Sequence, residues 1–292
     1  MSMQRLTLLP LAEAEEGTSS QLSRAVSAVA GQTIDVTSVS RISQGGRWRT
    51  EAMRSYDRPI LLWFTRGQGR MTIAGRSGGY GAHSAVFLPA GTMHGFSATP
   101  AVLGSMVRIP LDDARIWPQS PVHLRIREVH LQRELTGMID AIEREVLDGK
   151  AQAETALLHR AGLLSIWFLR LCDTMVDTKS SKPEISAAHR LTEAYTALIE
   201  RDFMEPVGVK HFAAILGITP THLSRACRQV SGLPALDLLT DRRHFEACRL
   251  LKDSRLPVAT VAKRAGFSSP AYFTRAFRAR AGASPSEFRA SG

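Results

Sequence analysis

The sequence predicts an α+β chain of two domains: an N-terminal β-barrel with a helical hairpin, then an all-α C-terminal domain of two helix-turn-helix units joined by a long helix. Three observations predict this. Short apolar runs parted by glycines fill residues 33–109, helical periodicity takes over from residue 131, and a helix-glycine-helix pattern occurs twice in the last third. The 292 residues suffice for two ordinary domains, and 44% hydrophobic with 22% charged residues is a globular balance. The expected division is residues 1–120 for the barrel, 121–177 for the hairpin, 178–188 for a linker and 189–292 for the helical domain.

In the first domain, residues 33–42 are rich in β-branched side chains and read as a strand. Apolar runs at 60–64 and 71–73 flank Gly67 and Gly69, and further runs follow at 85–88 and 102–109. Many short strands with Gly-rich turns suit a small sandwich or barrel. The string Pro89-Ala90-Gly91-Thr92-Met93-His94 resembles the second conserved motif of cupin barrels, so the barrel is expected to be cupin-like. Cupin enzymes hold a metal with histidines and a carboxylate from two motifs. Here residues 45–69 contain no histidine, and His94 has at most His83 as a companion. A metal needs three or more protein ligands, so neither a metal nor a cofactor is expected. The expected role is to bind a small organic effector in the barrel interior. Arg41, Trp48, Arg49, Tyr56 and His94 are the candidate contacts, and an arginine such as Arg41, Arg47 or Arg49 suits a carboxylate. Trp63 and Phe64 suit a pocket wall or the core equally well.

Leu131, Leu135, Met138, Ile139 and Ile142 form a helical stripe that Val146 continues, and residues 157–172 form a second, more apolar helix. The surplus apolar surface of this hairpin suits either a dimer interface or packing on its own barrel. Residues 177–186 are polar and contain Pro183, as a linker requires.

The formal charge is +10, and its distribution is uneven. Residues 189–292 hold 16 Lys+Arg against 9 Asp+Glu, whereas the other 188 residues hold 21 against 18. That concentration suits a polyanionic partner. In the same segment Val209, Phe212, Ala213 and Leu216 mark one helix face, and Val258, Val261, Ala262 and Ala265 repeat it 49 residues on. Gly217 and Gly266 end these helices. Thr219-Pro220 and Ser269-Pro270 then supply a hydroxyl N-cap with proline at the first helical position. Leu223, Ala226 and Cys227 face inward, as do Phe273, Ala276 and Phe277, and Gly232 and Gly282 close the second helices. The two units span about 208–231 and 257–281. Residues 235–253, free of Gly and Pro, read as one joining helix with Leu236, Leu239, Cys248 and Leu251 inward.

The outward face of the first unit then carries Thr221, Ser224, Arg225 and Arg228, with His222 beside them. The second carries Ala271, Thr274, Arg275 and Arg278, after Ser269 and Pro270. Arginine pairs bidentately with guanine or holds a phosphate, and small residues let a helix approach the major groove closely. A basic solvated face is the bland alternative. The recurrence of both arginines in register favours DNA contact.

The string Gly266-Phe267-Ser268-Ser269-Pro270-Ala271-Tyr272-Phe273-Thr274-Arg275-Ala276-Phe277-Arg278, with Gly282-Ala283-Ser284-Pro285-Ser286-Glu287-Phe288-Arg289 after it, resembles the C-terminal signature of the AraC/XylS transcriptional regulators. The resemblance covers about a third of the chain. It implies two units on a shared linker helix, with both recognition helices in adjacent major grooves and base reading by Thr221, Ser224, Arg225, Pro270, Ala271, Thr274 and Arg275. Pro270 and Ala271 offer apolar contacts alone, so the second unit contributes more affinity than discrimination. Cys227 stands where the family usually has an aromatic residue and reads as packing.

The expected protein is a cytoplasmic, sequence-specific transcriptional regulator and not an enzyme, and its expected partners are double-stranded DNA, a small effector, a second copy and RNA polymerase. Residues 1–16, with one arginine, three glutamates and no long apolar core, do not read as a secretory signal, and the apolar run 161–169 is too short to span a membrane. Three widely spaced cysteines suit reduced thiols. The rivals are a cupin-type metal-dependent enzyme with an accessory DNA-binding domain, a DNA-repair methyl acceptor and a nucleic-acid module without sequence preference.

Overall fold

A computed structural model describes residues 33–111, 116–177 and 186–291. The chain runs through β1 (Asp35–Ser38), α1 (Val39–Ser43), α2 (Trp48–Glu51), β2 (Ile60–Arg66), β3 (Gly69–Ile73), β4 (Arg76–Tyr80), β5 (Ser84–Leu88), β6 (His94–Phe96), β7 (Leu103–Arg108) and β8 (Val122–Arg125). The strand expected over residues 33–42 stops at Ser38. There the Ser38 hydroxyl accepts the Arg41 N–H at 3.3 Å and starts α1 instead.

The strands form two antiparallel sheets, β1-β7-β2-β5-β8 and β4-β3-β6, rather than the expected closed barrel. The outer edge of β6 is met by Arg54. That residue exchanges backbone hydrogen bonds of 2.9 and 2.8 Å with His94. Strand β2 is buried on both faces. Ile60, Leu62 and Phe64 meet Met71, Tyr80 and Phe96 of the small sheet, while Leu61 and Trp63 point to the other side. Phe64 stacks on Tyr80 at 4.1 Å and meets Phe96 edge-on at 5.6 Å, so aromatic rings fill the middle of the sandwich.

Helices α3 (Val129–Asp148) and α4 (Ala153–Asp177) form the hairpin and cover the second face of the large sheet. Leu135, Ile139 and Ile142 interlock with Leu157, Ala161, Leu164 and Phe168, over Trp63, Phe87 and Val107. The hairpin thus packs on its own sheet. It still leaves Leu147, Leu158, Leu163 and Ile166 outward, Leu163 being 63% exposed. No helix among the described residues is long and apolar enough to cross a membrane.

Seven helices follow: α5 (Ala187–Asp202), α6 (Val209–Ile215), α7 (Pro220–Ser231), α8 (Ala235–Asp253), α9 (Val258–Arg264), α10 (Pro270–Ala281) and α11 (Pro285–Ala290). Helix α5 was not legible as an element. Ser186 caps it by accepting the His189 N–H, so residues 187–188 of the expected linker are helical, and 178–185 lie outside the described residues. Tyr195, Ile199 and Phe203 complete the core of the first unit around Phe212, Leu223 and Cys227. Ala247, Cys248 and Leu251 of α8 enter the second core with Val261, Phe273 and Phe277. Leu236, expected inward, is 51% exposed because α8 turns Ala235, Leu238 and Leu239 to the core, which leaves Leu236 on the opposite face.

Phe168→Ala should lower the free energy of unfolding by about 3–5 kcal/mol, against under about 0.5 kcal/mol for Leu163→Ser, as read from urea midpoints.

Candidate nucleic-acid interface

The two second helices are built alike from the backbone up. The Thr219 hydroxyl accepts the His222 N–H at 3.2 Å, and the Ser269 hydroxyl accepts the Tyr272 N–H at 3.3 Å. Pro220 and Pro270 follow at a position whose N–H would have no partner. Gly232 and Gly282 close the helices in the left-handed region, with φ of 80° and 73°. In the preceding turns, the Ile218 N–H reaches the Ala213 carbonyl and the Phe267 N–H reaches the Ala262 carbonyl, both at 3.0 Å. Gly266 carries a further constraint: a Cβ there would lie 2.0 Å from the Phe203 carbonyl oxygen.

These caps set which side chains face out. Leu223, Ala226 and Cys227 are buried, as are Phe273 and Phe277. Thr221, His222, Arg225 and Arg228 are exposed on α7, and Pro270, Ala271, Thr274, Arg275 and Arg278 on α10. Two residues depart from the expected surface. Ser224 is half-buried, with its hydroxyl 3.4 Å from the Ala235 N–H at the start of α8. Ser269 is half-buried as the α10 cap. Tyr272, missing from the candidate set, is 42% exposed and occupies the place of His222 fifty residues on. The repeat offset was the signal that would have found it.

Burial pushes the Cys227 thiol up to about 11, so it stays protonated among apolar neighbours and packs.

The N-terminal sheets grip the helical region away from these faces. The Met53 N–H donates to the Asp241 carboxylate at 2.9 Å, and Asp241 also pairs with Arg280 of α10. The Ser55 hydroxyl donates to Glu200 at 2.7 Å, and the Ser77 hydroxyl to the Ser231 carbonyl at 2.9 Å. Gly75 lies against Thr192 and Thr196 of α5, leaving no room for a side chain. Met53 and Met93 enter the first helical core, whereas Trp48 packs on the second.

Of the expected effector contacts, Arg41, Trp48, Arg49 and Tyr56 come together along a cleft bordered by the edge strand β1 and by α8. His94 does not line it. It is buried behind Tyr56, with its Nδ1–H donating to the Thr92 carbonyl at 2.9 Å. Burial, and secondarily the Arg54 cation, hold the imidazole down at about 3 and neutral. A cation beside the ring opposes metal binding there, and among the described residues no three His, Cys, Asp or Glu side chains converge.

A helix-turn-helix domain model matches residues 212–291. Over 73 residues the chain is 44% identical to the arabinose operon regulatory protein of Salmonella typhimurium, covering 25% of this chain and 26% of that protein. The C-terminal segment is an AraC-type helix-turn-helix domain. The transcriptional regulator GlxA of Rhizobium meliloti is 31% identical over 132 residues, covering 43% of this chain and 40% of that one. The chain thus spans well under half the length of these curated relatives. Across 88% of this chain and 96% of the other, the structure resembles ToxT of Vibrio cholerae at 14% identity and a TM-score of 0.46. Within the AraC-type domain, the turn glycines and caps described above lie inside the matched residues.

His94 ties stability to pH. Its folded value is depressed, so its contribution is complete above the ordinary imidazole value of about 6.5 and is lost as pH falls toward 3, where the unfolded chain alone binds the proton. His244, held down to about 4 by burial and then by Arg280, acts in the same direction. The unfolding free energy from urea titration should therefore fall between pH 6.5 and 4, by up to about 1.4 kcal/mol per pH unit for each histidine. His94→Gln should flatten that slope, measured against wild type at matched pH.

Proposed function

We propose that the chain is a transcriptional regulator that reads a specific DNA sequence with α7 and α10 and responds to a small organic effector held by its N-terminal region. One observation carries the reading: two helices with the same caps expose arginines at the same two places, Arg225 with Arg275 and Arg228 with Arg278. They do so in the segment that holds most of the net positive charge. Arg225 and Arg275 sit one turn into their helices, within reach of base edges, while Arg228 and Arg278 suit phosphates. Thr221, His222, Ala271, Tyr272 and Thr274 border them, and Lys263 and Arg264 add exposed cations on α9. The names of the relatives, regulators of transcription, support the same class.

Regulators of this kind act on DNA in the cytoplasm, with RNA polymerase as the natural further partner. A palindromic or repeated site calls for two copies. The outward Leu163 and Ile166, three residues apart on α4, are the face we assign to the dimer.

Arg225→Ala should cost about 1–3 kcal/mol of affinity for a site selected from random DNA and relax preference at one base position. Arg278→Ala should weaken all sequences alike and reduce the salt slope by about one. Equal affinity for selected and unrelated DNA at fixed salt would reject the reading. Changing Leu163 and Ile166 together to lysine should turn dimer into monomer in sedimentation, without a change in helix content.

A further inference from the structure

A cleft of about 950 Å³ opens along the free edge of β1, where the sandwich, the hairpin turn and α8 meet. Its size suits a small organic molecule. We propose that this cleft, and not the interior of the sandwich, is the effector site, and that its occupant is an organic anion with a flat apolar body. The proposal rests on the regulator reading above and assigns its ligand chemistry and place.

The sign of the ligand follows from which charges are already satisfied. Arg108 is held by Asp35 at 2.7 Å and Arg249 by Glu246 at 2.6 Å. Among the lining acids, Glu145 is held by Arg160 at 3.2 Å, and Glu154 and Asp253 stand exposed to solvent. Arg49 differs. It is half-buried on the cleft wall, its guanidinium lies 4.6 Å over the Trp48 ring, and among the described residues no carboxylate pairs with it. An unpaired guanidinium on a cleft wall favours an anionic occupant, and a carboxylate or sulfonate is the acceptor that fits its fork. On the wall behind Tyr56, the buried Arg54 reaches the carbonyls of Thr50 and Ala52 and the Tyr56 hydroxyl, all uncharged acceptors. Its uncompensated charge adds positive potential to the same side of the cleft. Exposed Arg41 stands on the lining as well.

The body of the ligand follows from the rings. Trp48, Tyr56 and Phe245 line the cleft with Met106, and flat faces of this kind favour an aromatic or otherwise planar partner. Two of these walls belong to the regulatory machinery. Phe245 is part of α8, and Trp48 sits 5.7 Å from Phe245 and 6.1 Å from Phe288 of α11. An occupant that repositions Trp48 therefore acts directly on the packing of the second helix-turn-helix unit.

The test uses the full chain with 2-naphthoate and its uncharged amide, 2-naphthamide, followed by calorimetry. Naphthoate should saturate the protein below about 1 mM and bind about tenfold or more tightly than the amide. Arg49→Gln should weaken naphthoate by about tenfold or more and remove the preference over the amide, while Arg49→Lys retains part of it. Val146→Trp, which fills the cleft from the hairpin without touching a core, should block both ligands. Equal binding of acid and amide, no binding of naphthoate, or unaltered binding in both Arg49→Gln and Val146→Trp would overturn the assignment. Sequence-specific DNA binding in a protein that ignores naphthoate removes the cleft and leaves the regulator reading intact. Naphthoate binding without sequence-specific DNA binding does the reverse.

Discussion

Helix α8 is enclosed on nearly every side, and Arg242, Arg243, His244 and Glu246 are buried with it. Buried charge is tolerated where partners replace water, and the fold supplies them. Arg242 reaches both oxygens of Glu200 at 2.9 Å and lies 3.8 Å over the Phe203 ring. Arg243 donates to the carbonyls of Phe203, Glu205 and Val207, collecting the backbone where α5 ends. These bonds tie α5 to α8 and so close the first core. Truncating either guanidinium would leave a buried acceptor set without its donor, which is why the helical region depends on them.

The same helix receives the N-terminal sheets. Asp241 takes the Met53 N–H on one side and Arg280 on the other, so a single carboxylate touches the first region, α8 and α10. Burial raises its proton affinity and Arg280 lowers it again, which keeps the carboxylate dependent on that partner. The grip falls on cores and helix ends rather than on the faces that carry Arg225 and Arg275. A change in the sheets can therefore alter how the two units are held without covering Arg225 and Arg275.

The hydrogen bonds that start and stop α7 and α10 are made between residues at most four apart, so Thr219, Ser269, Gly232 and Gly282 could be recognised from the chain alone. The apolar run of β2 was equally readable. The end of the first strand was missed because a local competitor, the Ser38 hydroxyl, captured the backbone before the β-branched run was exhausted. Ser224 was assigned outward by spacing alone, and the neighbouring start of α8 drew it halfway in. Arg41, Trp48, Arg49 and Tyr56 were picked for chemistry and do share a cleft, but His94 was picked from a short motif and lies behind the wall.

From sequence alone come the repeated helix pair, its caps, the basic third and the sheet character of the first region, because each rests on local spacing or composition. Tertiary structure alone decided that the strands make two sheets, that the hairpin covers one of them, and that the cleft is shared with α8. Those outcomes depend on contacts between residues nearly 190 positions apart, such as Met53 with Asp241, and no local pattern encodes which distant partner a buried group will find.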